Sequence, residues 1–241
     1  VDIKKTRKTQ DMHPEAVFAH DIVNSKVLAN ALVRFGEWVA ENGLCDDGPY
    51  QAARDLLLKR APRIHGNVIR DNNESPLDAA VRIALQLDGG ILAIQGPPGT
   101  GKTFTGAHMI CALVQQGKKI GITANSHKVI RNLIDRTIKV AQENNIQLRC
   151  IQKVREREGD SASLILTTSN EDLLNSLHGD CDVAGGTAWL WSREVAFEAV
   201  DVLFIDEAAQ MSLANVLAIS HAGKTVVLLG DPQQLDQPMQ G

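Results

Sequence analysis

Apolar residues recur at spacings of three and four along residues 21–42. Val23, Val27, Ala31 and Phe35, joined by Leu28, Leu32 and Val39, form one stripe, and Gly43 follows as a stop. The spacing predicts an amphipathic helix. Residues 51–60 predict a second helix, closed by Ala61-Pro62. After a polar loop over 70–76, helical spacing returns at 78–87 with Ala79, Ala80, Ile83, Ala84 and Leu87, and Asp88-Gly89-Gly90 turns the chain. The pattern then changes. Short continuous apolar runs, as expected of strands buried on both faces, occur at 91–94, 119–123, 163–168, 201–205 and 225–229, with 147–152 a further candidate. Helical stretches alternate with them at 102–116, ended by Gly117, and at 126–144, 171–177 and 213–220. Residues 182–184 lead into Gly185-Gly186-Thr187 without an element of their own. Such alternation predicts an α/β fold, a parallel sheet with helices on both faces, preceded by a small helical segment. Ligand groups then collect at the carboxyl ends of strands, where Gly96, Asp206 and Asp231 fall.

Composition narrows the class. The chain has 241 residues, 44% of them hydrophobic, enough for one large α/β domain or one domain plus a small accessory. We expect a polar arm and helical accessory or connector segment over 1–70 and a nucleotide-binding domain over 71–241. No apolar run approaches the ~20 residues that span a bilayer, and the first residues are polar, so neither a membrane span nor a signal peptide is expected. Cys45, Cys111, Cys150 and Cys181 form no CxxC pair. They are expected to be reduced, mostly buried thiols of a cytoplasmic protein. The net charge of −4 does not advertise nucleic-acid binding, which would need a local basic face. Lys4, Lys5, Arg7 and Lys8 in the first fourteen residues read as a solvated arm or as a nucleic-acid-contacting tail.

The candidate chemistry centres on Gly96-Pro97-Pro98-Gly99-Thr100-Gly101-Lys102-Thr103, which follows the apolar run Ile91-Leu92-Ala93-Ile94. This is the phosphate-loop pattern GxxxxGK[ST] in its required setting between strand and helix. Glycines let the backbone turn tightly and aim successive N–H groups at an anion, and the following helix directs its N-terminal dipole at the same spot. Lys102 is placed to reach β- and γ-phosphates, the Thr103 hydroxyl to bind Mg²⁺, and Gly96 to Phe104 together to hold the nucleotide. A second motif, Val202-Leu203-Phe204-Ile205-Asp206-Glu207, is an apolar strand tipped by carboxylates. Asp206 is the candidate Mg²⁺ partner and Glu207 the group that orients the attacking water. In the third, Val226-Val227-Leu228-Leu229-Gly230-Asp231-Pro232-Gln233-Gln234-Leu235, Gln234 is the candidate γ-phosphate sensor, since an amide can respond to the phosphate while remaining uncharged.

Together these pieces resemble superfamily 1 helicases. GPPGTGKT resembles motif I, Ile122 to His127 motif Ia, DEAAQ motif II and GDPQQL motif III. The wording is most similar to the B subgroup, which includes the nonsense-decay helicases and the helicase–nucleases of replication, and more narrowly to bacterial proteins that fuse a RecB-like nuclease to such a helicase. The resemblance runs from about Asn73 to the end. It implies a RecA-like ATPase lobe with ATP and Mg²⁺ as ligands, single-stranded nucleic acid as partner, with DNA ahead of RNA, and a second RecA-like domain in the same parent chain. Two departures stand out. The glutamine that reads adenine in the family is missing from the region before motif I, where Asn72 to Leu77 reads NNESPL. The sequence also stops just past motif III, before the arginines of a second lobe, which are worth about 10³- to 10⁵-fold in turnover. The isolated chain is therefore expected to bind nucleotide and hydrolyse it poorly.

For the strand, the resemblance implies backbone contacts from Asn125, Ser126, His127, Lys128 and Thr187. Residues 118–139 carry Lys118, Lys119, Lys128, Arg131, Arg136 and Lys139 against Asp135 alone, which reads as a phosphate-binding face or a solvated helix face. Trp189 and Trp191 share a face as a stacking platform if their stretch is a strand, and diverge if it is helical. Two other readings stay open: a phosphate-loop NTPase acting as a switch without strand movement, and a nucleic-acid-binding module with an inactive nucleotide site.

Overall fold

The computed structural model describes residues 24–45, 48–64, 73–97, 99–156 and 161–231. The polar arm, Val23, Asn72, Pro98 and Gln234 lie outside the described residues. The elements, in order, are α1 (Lys26–Asn42), α2 (Gln51–Leu57), α3 (Pro76–Gln86), β1 (Gly90–Gln95), α4 (Lys102–Gln115), β2 (Ile120–Thr123), α5 (His127–Glu143), β3 (Cys150–Lys153), β4 (Leu164–Thr167), α6 (Asn170–His178), β5 (Val183–Gly185), α7 (Ala188–Trp191), β6 (Val200–Asp206), α8 (Leu213–Ile219) and β7 (Gly223–Gly230). Among the described residues the strands form one seven-stranded sheet in the order β1-β7-β6-β2-β5-β3-β4, every pair parallel.

Strand alternation divides the core in two. Val202 and Phe204 of β6 and Val227 and Leu229 of β7 face a layer built from α3, α4 and α5. Leu203, Ile205 and Val226 face the opposite layer, where α1, α2, α6, α7 and α8 bring Leu28, Ala31, Ala52, Leu173, Trp191 and Ile219. Both faces are thus buried, which is why the strands read as continuous apolar runs.

β5 went unread in the sequence because it has three residues, two of them small. It nevertheless lies between β2 and β3, with Gly185 opposite both Ile122 and Gln152. A Cβ on Gly185 would meet Ile134 at 2.6 Å and Ile130 at 2.7 Å, so glycine lets α5 lie close over the sheet. The second helix is shorter than expected: it ends at Leu57, and Lys59 takes φ 51° in the turn that follows.

The early helices are fastened to the strand that carries the phosphate loop. Arg54 is fully buried and donates to the carbonyls of Gly48 (2.8 Å), Pro49 (3.2 Å) and Leu44 (3.4 Å). Buried Asp55 accepts from Arg63 at 2.8 Å and Arg60 at 3.2 Å. The Arg63 carbonyl in turn accepts the amide of Asp88, and Ile64 bridges Leu87, three residues before β1 begins. Three of the four cysteines, Cys111, Cys150 and Cys181, are buried free thiols, and Cys45 is exposed. No helix among the described residues is long and apolar enough to cross a membrane.

Candidate nucleotide-binding site

The phosphate loop leaves β1 after Gln95, and its register is set at once: the Gly96 amide donates to the carbonyl of Gly230 at the end of β7, 3.2 Å away. Thr100 closes the loop on Pro97, whose carbonyl accepts from both its amide (3.3 Å) and its hydroxyl (2.7 Å). Gly99 and Gly101 sit at φ 80° and 85°, a backbone that side chains rarely adopt, so the glycine spacing of the motif is a steric requirement. Gly101 caps α4, which leaves the amides of Lys102, Thr103 and Phe104 without partners in their own helix. The Lys102 ammonium donates to two loop carbonyls, Gly96 (2.5 Å) and Pro97 (3.0 Å). These are neutral acceptors that phosphate oxygens would outcompete. The Phe104 ring turns away to His108 (4.2 Å between centroids) and lies under the Arg136 guanidinium (4.9 Å), so its contribution to the loop is backbone.

Asp206 ends β6 and is 3% exposed. Burial pushes its carboxyl up to about 6, against the opposing pull of the Glu207 amide, the Lys102 charge and a hydrogen bond from the Thr103 hydroxyl. The residues expected at the metal, Thr103 and Asp206, are therefore neighbours at this end of the sheet. Glu207 departs from ordinary backbone geometry at φ 51°, ψ 42°. Its Oε2 is buried without a hydrogen-bond partner among the described residues. A left-handed, non-glycine residue stores about 1–3 kcal/mol and calls for a reason in function. A carboxyl held there, unmatched, beside the Asp206–Thr103 pair fits a residue whose partner is a ligand or its attacking water. A phosphate loop with free helix amides, an ammonium held only by neutral loop carbonyls and a buried carboxylate beside Thr103 likewise suits Mg²⁺-nucleotide. Asp231, next to Gly230, is buried at the same end of the sheet.

The residues expected at the strand behave differently from one another. Ser126 is spent as the N-cap of α5, accepting from Val129 at 3.2 Å. The Asn125 side chain donates to the carbonyl of Gln210 at 2.6 Å. The His127 carbonyl accepts from Gln152, itself 1% exposed, and burial lowers the pKa of the imidazole, which makes it a neutral group at pH 7 rather than a cationic phosphate contact. Lys128 is exposed, and Thr187 is the half-buried N-cap of α7. Of the basic stretch around them, Lys118, Lys119, Arg131 and Lys139 each pair with a nearby carboxylate, at 3.4, 3.6, 2.7 and 3.9 Å. The 189–191 stretch is helical, so its two indoles diverge. Trp191 is buried and donates to the carbonyls of Ile122 and Gly186, while Trp189, 39% exposed, donates to Asn24 of the segment before α1. Gln210, which lies inside the second motif, was not singled out as a site residue. Only its tertiary contact marks it.

Comparison with known proteins places the chain in a family. The family described as an AAA domain matches residues 78–241. The DNA replication ATP-dependent helicase/nuclease DNA2 of Saccharomyces cerevisiae is 26% identical over 213 residues, covering 78% of this chain and 13% of the relative. The mouse DNA2 is 30% identical over 182 residues, covering 70% of this chain and 16% of the relative. The chain thus spans less than a fifth of the length of these relatives. Among solved structures, the UvsW helicase of bacteriophage T4 aligns with a TM-score of 0.47 at 15% identity, over 74% of this chain and 58% of its own. The arterivirus nonstructural protein 10 helicase with DNA aligns with a TM-score of 0.39 at 18% identity, over 60% of this chain and 29% of its own. With the family match covering well over half of its length, the chain belongs to the AAA-domain family of phosphate-loop proteins, in the superfamily 1 helicase group that holds the DNA2 helicase/nucleases.

Proposed function

We propose that this chain is the first RecA-like motor lobe of an ATP-dependent helicase that moves along single-stranded nucleic acid, DNA ahead of RNA. The observation that carries the proposal is the convergence of Lys102, Thr103, Asp206 and Glu207 at the carboxyl end of β1 and β6, with Lys102 and Thr103 close enough to act on the Asp206 carboxyl and the Glu207 Oε2 buried without a partner among the described residues. Lys102 would exchange its loop carbonyls for β- and γ-phosphate oxygens. Thr103 and Asp206 would hold Mg²⁺, which when bound neutralises charge on the phosphates. Glu207 would orient a water for attack on the γ-phosphorus, and Gln234 would sense the γ-phosphate. Lys128, Ser126 and Thr187 lie on the segments that would follow the strand backbone. A second lobe in the parent chain would supply arginines to the γ-phosphate and give the first something to close against, a hinge motion that ratchets the strand. The setting would be cytoplasmic. Helicase/nuclease relatives that extend far beyond this chain support the larger assembly.

The test is binding and hydrolysis of Mg²⁺-ATP by this chain, with and without a single-stranded oligonucleotide, using Lys102→Ala as blank. Loss of the lysine's charge-assisted hydrogen bonds is expected to weaken nucleotide binding by about tenfold or more. Equal binding by parent and variant would sink the nucleotide role. Nucleotide binding with no uptake of oligonucleotide would leave a switch rather than a motor.

A further inference from the structure

Three hydrogen bonds and one tight packing contact connect the phosphate loop to the turn before α5. The Gly96 amide donates to the Gly230 carbonyl at 3.2 Å. Gly230 in turn is pressed against the short 3₁₀ turn that follows Glu207: a Cβ there would stand 3.1 Å from the Ala209 nitrogen and 3.5 Å from the Ala208 Cβ. That turn, Ala208–Gln210, is closed by the Gln210 amide on the Glu207 carbonyl at 2.9 Å. It uses up the amide of Gln210 and leaves the carbonyl, which takes the Asn125 side-chain amide at 2.6 Å. Asn125 lies in the connection between β2 and α5, one residue before the Ser126 cap that fixes the α5 N-terminus. The residue from which that turn starts is strained: Glu207 is left-handed, with an Oε2 buried without a partner among the described residues. Any shift of Glu207 on nucleotide binding would carry with it the turn anchored on its carbonyl.

We infer that Asn125 is a positioning residue that links the nucleotide site to the α5 N-terminus through Gln210, rather than a contact to the strand. This rests on the proposed motor function. Its side chain is exposed, so the hydrogen bond is not held in place by core packing and can break and form as the turn shifts. The chemistry requires a donor. Asn125→Asp, of the same size, has only acceptors at neutral pH and would set a carboxylate against a carbonyl. Asn125→Gln keeps the amide donor on a longer arm.

The experiment measures the affinity of this chain for a fluorescein-labelled oligothymidylate by anisotropy, with Mg²⁺ and a non-hydrolysable ATP analogue and without them. The two affinities of the parent chain are expected to differ by about three- to tenfold, the range one hydrogen bond can transmit. Asn125→Ala and Asn125→Asp are expected to bring that ratio close to one, with the nucleotide-free affinity held, and Asn125→Gln to restore part of it. A ratio unchanged in both donor-less variants overturns the linkage. So does a loss of oligonucleotide affinity in Asn125→Ala that is equal with and without nucleotide, which would make Asn125 a direct contact. A parent chain that takes up no oligonucleotide removes the proposed function along with the linkage. One that binds it equally in both conditions removes the linkage alone.

Discussion

The two ends of the sheet treat buried polar groups in opposite ways. At the amino end most are matched, Ser192 Oγ beside the Trp191 carbonyl being the exception among the described residues. Arg54 spends its guanidinium on three loop carbonyls, Asp55 holds Arg60 and Arg63, and His221, just before β7, donates from Nε2 to the Trp191 carbonyl at 2.9 Å. At the carboxyl end several atoms are not, although Asp206, the Gln152 amide and Thr167 have partners. Of the five buried side-chain polar atoms that lack a partner among the described residues, Thr123 Oγ1, His127 Nδ1, Gln152 Oε1 and Glu207 Oε2 lie at or beside the carboxyl ends of β2, β3 and β6. An unmatched buried polar atom costs about 1–3 kcal/mol, so a fold carries several at one end only if the other end and the core hold it firmly. One end is finished as a protein. The other keeps polar atoms turned toward the proposed nucleotide and strand sites.

The largest effect should come from breaking the finished end. Asp55→Ala leaves two arginines and the turn they hold without their shared carboxylate. Truncating one partner of a buried pair costs about 3–5 kcal/mol, and since Arg60 and Arg63 are each about a third exposed, the lower part of that range applies, about 3–4 kcal/mol. Urea denaturation reads the loss directly. Nucleotide affinity per folded molecule should hold, because Asp55 acts from the amino end. A cost under about 1 kcal/mol would mean that this end is no better anchored than an ordinary surface.

His221 tests the same end by pH. Burial lowers its pKa from 6.5 to about 4, the Trp191 hydrogen bond works against that shift, and the Arg34 charge adds to it. Tyr50 stacks on the ring 6.3 Å away and Phe197 meets it edge-on. Between these two pKa values the unfolded chain holds more protons than the folded one. The contribution is therefore complete above pH 6.5 and is lost as pH falls toward 4, by about 2–3 kcal/mol at the lower limit. The difference between parent and His221→Asn in denaturation series from pH 7 to 4 isolates it. Parallel curves for the two proteins would remove His221 from the account.

Much of this architecture can be read from the residues. The apolar runs of β6 and β7 are legible because parallel strands buried on both faces have no polar side to interrupt them, and that of β1, an edge strand with Ala93 exposed, because it leads into the phosphate loop. The phosphate loop is legible because Gly99 and Gly101 stand where the backbone is left-handed, a requirement that shows in the residue itself. What stays hidden depends on distant partners. β5 is three residues long and exists because β2 and β3 flank it. Arg54 and Asp55 look like any charged pair on a helix, and nothing local tells that carbonyls from the preceding loop and two later arginines surround them. Among the strand candidates, the motif places Asn125 and His127 near the right surface, yet their side chains turn to Gln210 and toward β3 for reasons set by tertiary packing. Glu207 shows both sides: its identity is legible as the second carboxylate of a motif, while its left-handed backbone is not.

That backbone gives the smallest effect on stability, and the one of opposite sign. Glu207→Gly removes about 1–3 kcal/mol of left-handed strain together with an unmatched buried carboxyl oxygen. It also frees the unfolded chain, which offsets about 1 kcal/mol. The net expectation is a gain of about 1 kcal/mol, or about 2–4 °C in Tm for a chain of this size. Hydrolysis should meanwhile fall by about a hundredfold or more, since the group that orients water is gone. A carboxyl proposed to serve water cannot be matched within the protein and still be free to do so, so the strain at Glu207 would be the cost of keeping it available. If Glu207→Gly proves less stable than the parent, the carboxyl has a partner in solution, and the contrast between the two ends of the sheet narrows to Thr123, His127 and Gln152.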